Sequence, residues 1–186
     1  MKTLEERLDD LRHLVRNRDF LEGKGLSNEV NIRICCYKPE QEMTVVHFVK
    51  KLCAEQGADS NIVECNLYKL FIDLCTDLKI LDDIPDLEEK EGSDYLLKQL
   101  HLAIGTDEFV GKMRRDFDVK TGDVLLITGV GDVFPFMRVH ILLEAMQSYF
   151  SHVPVVVMYP GTFDGSTVRL FDRLKPNSYY RAFNVV

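Results

Sequence analysis

Two apolar segments in the last third of the chain constrain its fold most strongly. They are residues 123–129 and 153–159, each an almost unbroken run of apolar side chains. Such runs are typical of strands buried on both faces of a parallel sheet. Residues 136–150 lie between them and carry apolar side chains at helical spacing. The three segments predict a parallel strand–helix–strand unit with a right-handed crossover.

Two further strand–helix pairs precede this unit. Strands are predicted over residues 31–37 and 62–65, and helices over residues 41–56 and 68–81. Together the pairs predict an α/β fold, a three-layer sandwich around a mostly parallel sheet. The predicted strand order is like that of P-loop NTPases, although the phosphate-binding Walker A loop is lacking.

Capping signals and composition predict the structure of two other segments. A helix is predicted over residues 3–20, because Thr3 and Glu6 have the spacing of a capping box. Residues 82–92 are rich in acidic side chains and contain Pro85, and they predict a solvated acidic loop. The length of 186 residues suits a single domain over residues 1–186.

The charge balance limits the kinds of partner. With 23 Lys and Arg against 30 Asp and Glu, the net charge is −7. This disfavours bulk electrostatic binding to DNA or to an anionic membrane, and leaves room only for a local basic patch. The longest apolar run is far shorter than the ~20 residues of a membrane-spanning helix. The charged start shows no secretory signal, and the 5 cysteines contain no Cys-x-x-Cys pair, so we expect a cytoplasmic protein.

Two glycine-rich loops are the first candidate sites. Residues 128–135 and 160–167 follow the two apolar strands, and they carry Asp132 and Asp164. Because ligands of open parallel sheets bind beyond the carboxyl ends of strands, we expect both loops to lie side by side. Gly129 and Gly131 are candidates together with Asp132 and Asp164. The two glycines lack the third glycine of a dinucleotide site, so a tight turn is favoured. Two acids alone indicate a metal only weakly, and we expect no cofactor.

Catalytic motifs are missing from the sequence. There is no Gly-x-Ser-x-Gly and no His-Glu-x-x-His. Arg138 and His140 flank Val139, and on a continuous helix they would point about 200° apart, so we expect that they do not meet at one site. We therefore predict no catalytic residue.

The C-terminal region combines arginines with aromatic side chains. Arg169, Arg173 and Arg181 stand near Tyr180 and Phe183. This pattern is compatible with stacking and phosphate contacts on a nucleic acid. It is equally compatible with a protein interface, or with a terminal strand that packs its aromatic side chains on the core. The sequence leaves these alternatives open.

Three blocks of residues resemble a known family. They are residues 127–140, residues 159–165 with the following 169–174, and residues 179–183. In these blocks the chain is similar to the BrxB family, small proteins of bacteriophage-exclusion (BREX) defence systems. The resemblance spans nearly the whole chain and is most specific after Val124.

The resemblance implies a role in phage defence without an assigned catalytic activity. BREX systems also contain an ATPase, an adenine methyltransferase and a phosphatase-superfamily protein called PglZ. The resemblance therefore implies a non-catalytic accessory subunit that binds PglZ or a larger assembly. The candidate residues for contacts with a partner or an anion are Gly129, Gly131, Asp132, Arg138, Asp164, Arg169, Arg173, Tyr180 and Arg181.

Two alternatives remain open beside this interpretation. One is a subunit that contacts DNA or RNA through the arginine- and aromatic-rich C-terminal region. The other is a hydrolase that depends on a metal or a nucleotide held near Asp132 and Asp164.

Overall fold

A parallel sheet forms the centre of the structure, a computed structural model that describes residues 2–23, 31–55, 61–164, 167–175, 177–178 and 182–184. Within these residues the strand order is β2-β3-β4-β1-β7, and all neighbours along it are parallel. The strands are β1 (Ile32–Tyr37), β2 (Ile62–Asn66), β3 (Val124–Thr128), β4 (Val155–Phe163), β5 (Thr167–Leu170), β6 (Asn177–Ser178) and β7 (Ala182–Asn184). The order, with β1 between β4 and β7, agrees with the predicted P-loop-NTPase-like arrangement.

Helices cover both faces of this sheet. They are α1 (Leu4–Leu14), α2 (Arg18–Leu21), α3 (Glu42–Ala54), α4 (Leu67–Asp77), α5 (Ile84–Glu91), α6 (Ser93–Ala103), α7 (Thr106–Asp116), α8 (Val130–Val133) and α9 (Val139–Met146). Helices α1 and α3 share one apolar core with the sheet, and α4, α6, α7, α8 and α9 share the other. The predicted three-layer α/β sandwich is therefore confirmed.

Alternation along the strands divides their side chains between the two cores. In β3, Leu125 and Ile127 belong to one core, whereas Val124 and Leu126 belong to the other. Strand β4 divides in the same way, and all five residues of β3 are buried. Both faces need apolar side chains, which explains why these strands are continuous apolar runs in the sequence.

The segment after Pro160 differs from the predicted loop. Strand β4 continues to Phe163 and pairs antiparallel with β5, with Gly161 opposite Leu170. The prediction of a loop over residues 160–167 is thus wrong for its first four residues and for Thr167, which begins β5. A Cβ on Gly161 would lie only 2.1 Å from the carbonyl oxygen of Arg169, so this hairpin needs glycine at that point.

The acidic segment is helical. Residues 81–83 form a 3-10 turn, and α5 follows with Pro85 in its first turn, where proline is tolerated. Ile84 and Leu87 of α5 pack against the apolar core. The prediction of an acidic loop over residues 82–92 is wrong, because these two apolar contacts anchor a helix whose remaining face is acidic.

The N-terminal helix is shorter than predicted. Helix α1 begins at Leu4, after the expected capping box of Thr3 and Glu6, but it ends at Leu14. The side chain of Asn17 then accepts hydrogen bonds from the backbone amides of Asp19 and Phe20 and starts the short α2. The predicted single helix over residues 3–20 is therefore two helices, since Asn17 caps a new helix instead of continuing the first.

Among the described residues, no helix combines the length and the apolarity that crossing a bilayer requires.

Two leucines of α6 test the assignment of the core. Leu100 is 4% exposed, whereas Leu102 is 81% exposed. We expect Leu100→Ala to lower the free energy of unfolding by about 2–5 kcal/mol, because it opens a cavity. Leu102→Ala should change it by less than about 0.5 kcal/mol, because nothing packs around an exposed side chain. Urea unfolding of both variants measures the difference, and equal losses would contradict the placement of α6.

Candidate functional site

Two concave sites lie at the carboxyl edge of the sheet, where α8 follows β3. Gly129 and Asp132 line one of them, and Val130 lines the other. Neighbouring residues of β4 divide in the same way, since Met158 lines the first site and Tyr159 the second. We call the first the edge cleft and the second the apolar pocket.

The edge cleft has a volume of about 270 Å³, and its walls combine charged and polar side chains with apolar ones. It is lined by Tyr37, Glu42, Val45, Val46, Val49, Lys50, Glu64, Asn66, Lys69, Thr128, Gly129, Asp132 and Met158. Of the residues that the sequence singled out, it contains Gly129 and Asp132. It adds three that sequence reasoning missed, Tyr37, Glu42 and Glu64. One signal in the sequence points to Tyr37 as a site residue, namely its position at the carboxyl end of the first strand.

A tyrosine–glutamate pair lies in the wall of the edge cleft. The hydroxyl of Tyr37 donates to Glu42 Oε2 at 2.7 Å. Burial raises the pKa of Glu42 above its usual range, the bond from Tyr37 opposes this, and the charge of Asp132 raises it further. Burial, followed by the bond to Glu42, also raises the pKa of Tyr37. The cleft thus holds a carboxyl group that keeps its proton to a higher pH than an ordinary glutamate.

Two further polar side chains of the edge cleft make hydrogen bonds within the chain. Thr128 Oγ1 donates to Glu64 Oε1 at 2.7 Å. Asn66 Oδ1 caps α4 by accepting from the amide of Lys69 at 3.0 Å. In the described part of the chain, no group of three or more His, Cys, Asp or Glu side chains is arranged to hold a metal ion.

Asp164 has a different role from Asp132. Its carboxylate accepts from the backbone amide and from the hydroxyl of Thr167, both at 2.7 Å. These bonds close the turn between β4 and β5. Asp164 does not line the edge cleft, so the structure does not bring the two acids together there.

The two candidate glycines hold α8 against its neighbours. Gly129 has a φ of 67°, and a Cβ there would lie 2.7 Å from Asn66 Oδ1. A Cβ on Gly131 would lie 2.9 Å from the ring of Phe171. Close approach explains both glycines, in keeping with the tight turn that the sequence favours.

The apolar pocket lies on the other side of α8 and has a volume of about 220 Å³. It is lined by Val130, Phe134, Met137, Arg138, Val139, His140, Tyr159, Leu170, Leu174 and Lys175. Most of these side chains are apolar, and Arg138, His140 and Lys175 add positive or titratable groups.

The pocket corrects one expectation about Arg138 and His140. Both line it, so the prediction that they do not meet at one site is wrong. Helix α9 begins only at Val139, and Arg138 has extended backbone angles (φ −102°, ψ 118°), so helical spacing does not apply to the pair. Burial lowers the pKa of His140, and the charge of Arg138 lowers it further.

The remaining candidates lie on β5 and beyond it. Arg169 and Arg173 are exposed, and neither lines the apolar pocket, although Leu170 and Leu174 beside them do. Tyr180 and Arg181 lie outside the described residues. Their proposed contacts stay predictions.

The contact between Gly129 and Asn66 can be tested by a double-mutant cycle. We expect Gly129→Ala to destabilise the protein by about 1–2 kcal/mol or more, from its left-handed backbone and its clash with the Asn66 side chain. Asn66→Ala should cost about 1 kcal/mol, because α4 loses its cap. In the double variant the clash is absent, so the combined cost should fall short of the sum by about 0.5 kcal/mol or more. Chemical denaturation measures the three values, and strict additivity would contradict the contact.

The raised pKa of Glu42 predicts a pH dependence of stability. The folded state binds this proton more tightly than the unfolded chain, so the free energy of unfolding falls as pH rises from about 4.3 through the raised pKa. Glu42→Gln removes this pH-dependent loss of stability. The free energy of unfolding of the variant, relative to the wild type, should therefore rise with pH between the unfolded and folded pKa values of Glu42 and then level off. Urea unfolding between about pH 4 and pH 8 measures the difference.

Asp132→Asn serves as the control for this pH dependence. Removing the neighbouring charge should lower the pKa of Glu42, so the pH range over which the free energy of unfolding falls should become narrower. A difference between wild type and Glu42→Gln that stays constant with pH would contradict the assignment.

Comparison with known proteins identifies the relatives of the chain. A sequence profile described as "BREX protein BrxB" matches residues 63–185. The BREX protein BrxB of Bacillus cereus (strain H3081.97) is 34% identical over 192 residues, which cover 100% of this chain and 99% of the relative. That of Escherichia coli O9:H4 (strain HS) is 27% identical over 183 residues, 98% of this chain and 92% of the relative. No solved structure matches the chain. The match to the profile and the full-length similarity place the chain in the BrxB family of BREX proteins.

Proposed function

We propose that the chain is a non-catalytic accessory subunit of a BREX phage-defence system and acts by binding another protein of that system. Both relatives are named as BREX proteins and align over nearly the whole chain. The observation that carries the proposal is the apolar pocket with Arg138 and Lys175 exposed in its lining. An apolar pocket bordered by arginine is typical of protein interfaces, in which arginine and aromatic residues are enriched.

The proposed partner is the PglZ component. Resemblance to the BrxB family implies an association with PglZ or with a larger BREX assembly. The apolar pocket lies within residues 63–185, the part that matches the family profile. We therefore place the contact on this part of the chain.

The polar groups of the edge cleft support a role without catalysis. Tyr37 is bonded to Glu42, and Thr128 is bonded to Glu64. A hydrolase built on Asp132 and Asp164 would need both carboxylates at one point. Asp164 instead accepts two hydrogen bonds from Thr167 and does not line the cleft.

A nucleic-acid-contacting subunit is the alternative that the exposed Arg169 and Arg173 favour. Asp172 stands between them in the sequence and offsets part of their charge. The alternative requires binding that weakens steeply with salt, because phosphate contacts release counterions. It also requires that removing these arginines weakens the binding of all sequences alike.

Co-purification tests the proposed function directly. We expect the chain, co-expressed with the PglZ-like protein of its own BREX system, to elute with it from a size-exclusion column. Light scattering should give a defined mass equal to a whole-number combination of the two chains. Each protein run alone is the control for self-association.

Separate elution would contradict PglZ as the partner. A salt-sensitive shift of duplex DNA that disappears in Arg169→Ala/Arg173→Ala would then favour the nucleic-acid alternative.

A further inference from the structure

The walls of the apolar pocket are held in place by the core. Val130 is 3% exposed and Tyr159 is 2% exposed, and both belong to the core on that face of the sheet. The turn after β5 is fixed as well, since the amide of Phe171 donates to the carbonyl oxygen of Pro160 at 2.8 Å. The ring of Phe171 also packs closely on Gly131. The pocket is therefore preformed, as binding sites usually are.

The size of the pocket limits what it can receive. Its volume of about 220 Å³ lies below the ~300–1,000 Å³ of typical small-molecule sites. A hollow of this size suits one large apolar side chain. Such anchor residues, seated in well-packed pockets, supply most of the energy of protein interfaces.

The charge around the pocket is positive. Among the described residues, Arg138 and Lys175 line it as cations beside His140, whose pKa is lowered, and no Asp or Glu lines it. In the part of the chain that the structure describes, neither Arg138 nor Lys175 takes part in an ion pair. Two acids outside the pocket lining act on its residues: Glu144 raises the pKa of His140, and Asp172 raises the pKa of Tyr159. In a chain with a net charge of −7, this cationic border is complementary to a carboxylate.

We infer that the apolar pocket receives a single large apolar side chain from an acidic segment of the partner protein, with a carboxylate of that segment held by Arg138 and Lys175. This inference rests on the proposed function and names the chemistry of the contact. A nucleic acid fits less well, because it requires an extended basic groove with exposed aromatic side chains. Of the two described aromatic side chains that line the pocket, Tyr159 is buried in the core and Phe134 is half-buried.

Charge reversal with a matched control tests this inference. The test variant is Arg138→Glu/Lys175→Glu. The control is Lys90→Glu/Lys98→Glu, which changes the net charge equally at two exposed lysines of α5 and α6 that do not line the pocket. All four side chains are exposed, so thermal unfolding should show both variants folded.

Binding to the PglZ-like protein is measured by calorimetry. We expect the test variant to bind about 10- to 100-fold more weakly than the wild type, because attraction at the pocket becomes repulsion. The control should stay within about threefold of the wild type. Equal affinities of test variant and wild type would overturn the inference and leave the proposed function standing.

A second pair of variants tests the apolar part of the contact. Leu174→Ser makes one pocket wall polar, and Leu78→Ser makes the same change at a leucine that is 46% exposed and outside the pocket. Only Leu174→Ser should weaken binding, by about tenfold, since the anchor loses apolar contact area. Equal effects of the two changes on the binding affinity would overturn the inference that an apolar side chain of the partner lies in the pocket.

A direct probe separates the inference from the choice of PglZ. The terminally blocked peptide Asp-Leu-Asp is titrated to millimolar concentration into protein labelled at its methyl groups. We expect shifts at Val130, Val139 and Leu170 in the wild type and none in Arg138→Glu/Lys175→Glu. If the wild type does not bind the PglZ-like protein but shows these shifts, PglZ fails as the partner and the inference holds. Absence of shifts, or single-stranded DNA that binds the wild type and no longer binds the variant, would overturn it.

Discussion

Burial of β3 on both faces is the constraint on which the rest of the structure depends. A strand whose five residues are all buried needs helices above and below, and each core takes alternate side chains of β3 and β4. This fixes the register of the two strands, with Leu125 opposite Val155. The register in turn brings the end of β3 beside β4, so the turn into α8 forms where parallel sheets leave room for ligands.

The same alternation gives the carboxyl edge two different environments. Met158 turns toward α3 and the edge cleft with its charged side chains, while Tyr159 turns toward α9 and the apolar pocket. Glycines then keep α8 close to its neighbours, Gly129 against Asn66 and Gly131 against Phe171. A single buried strand and two close contacts therefore place both candidate sites.

The parts of this arrangement that follow from periodicity could be predicted from the sequence. The apolar runs of β3 and β4 predict buried strands, and the spacing of α9 predicts a crossover helix. The features that the sequence did not predict depend on tertiary contacts. The segment over residues 82–92 is helical because Ile84 and Leu87 reach the core. Arg138 joins His140 in one pocket because α9 starts one residue after Arg138, and a helix start is the least certain part of a periodic pattern.

The edge cleft and the apolar pocket differ in the hydrogen bonds and ion pairs that their polar groups make within the chain. This difference favours binding of a partner at the apolar pocket. In the edge cleft, Tyr37 and Thr128 donate to carboxylates of the same chain. A ligand that binds these two pairs would replace existing hydrogen bonds, and such an exchange gains little free energy. Beside the pocket, Arg138 and Lys175 are exposed, and a partner carboxylate would add an ion pair without breaking one between described residues. The apolar walls next to these cations would also bury an apolar side chain of the partner. Burial and charge attraction would then both contribute to the binding free energy of one contact.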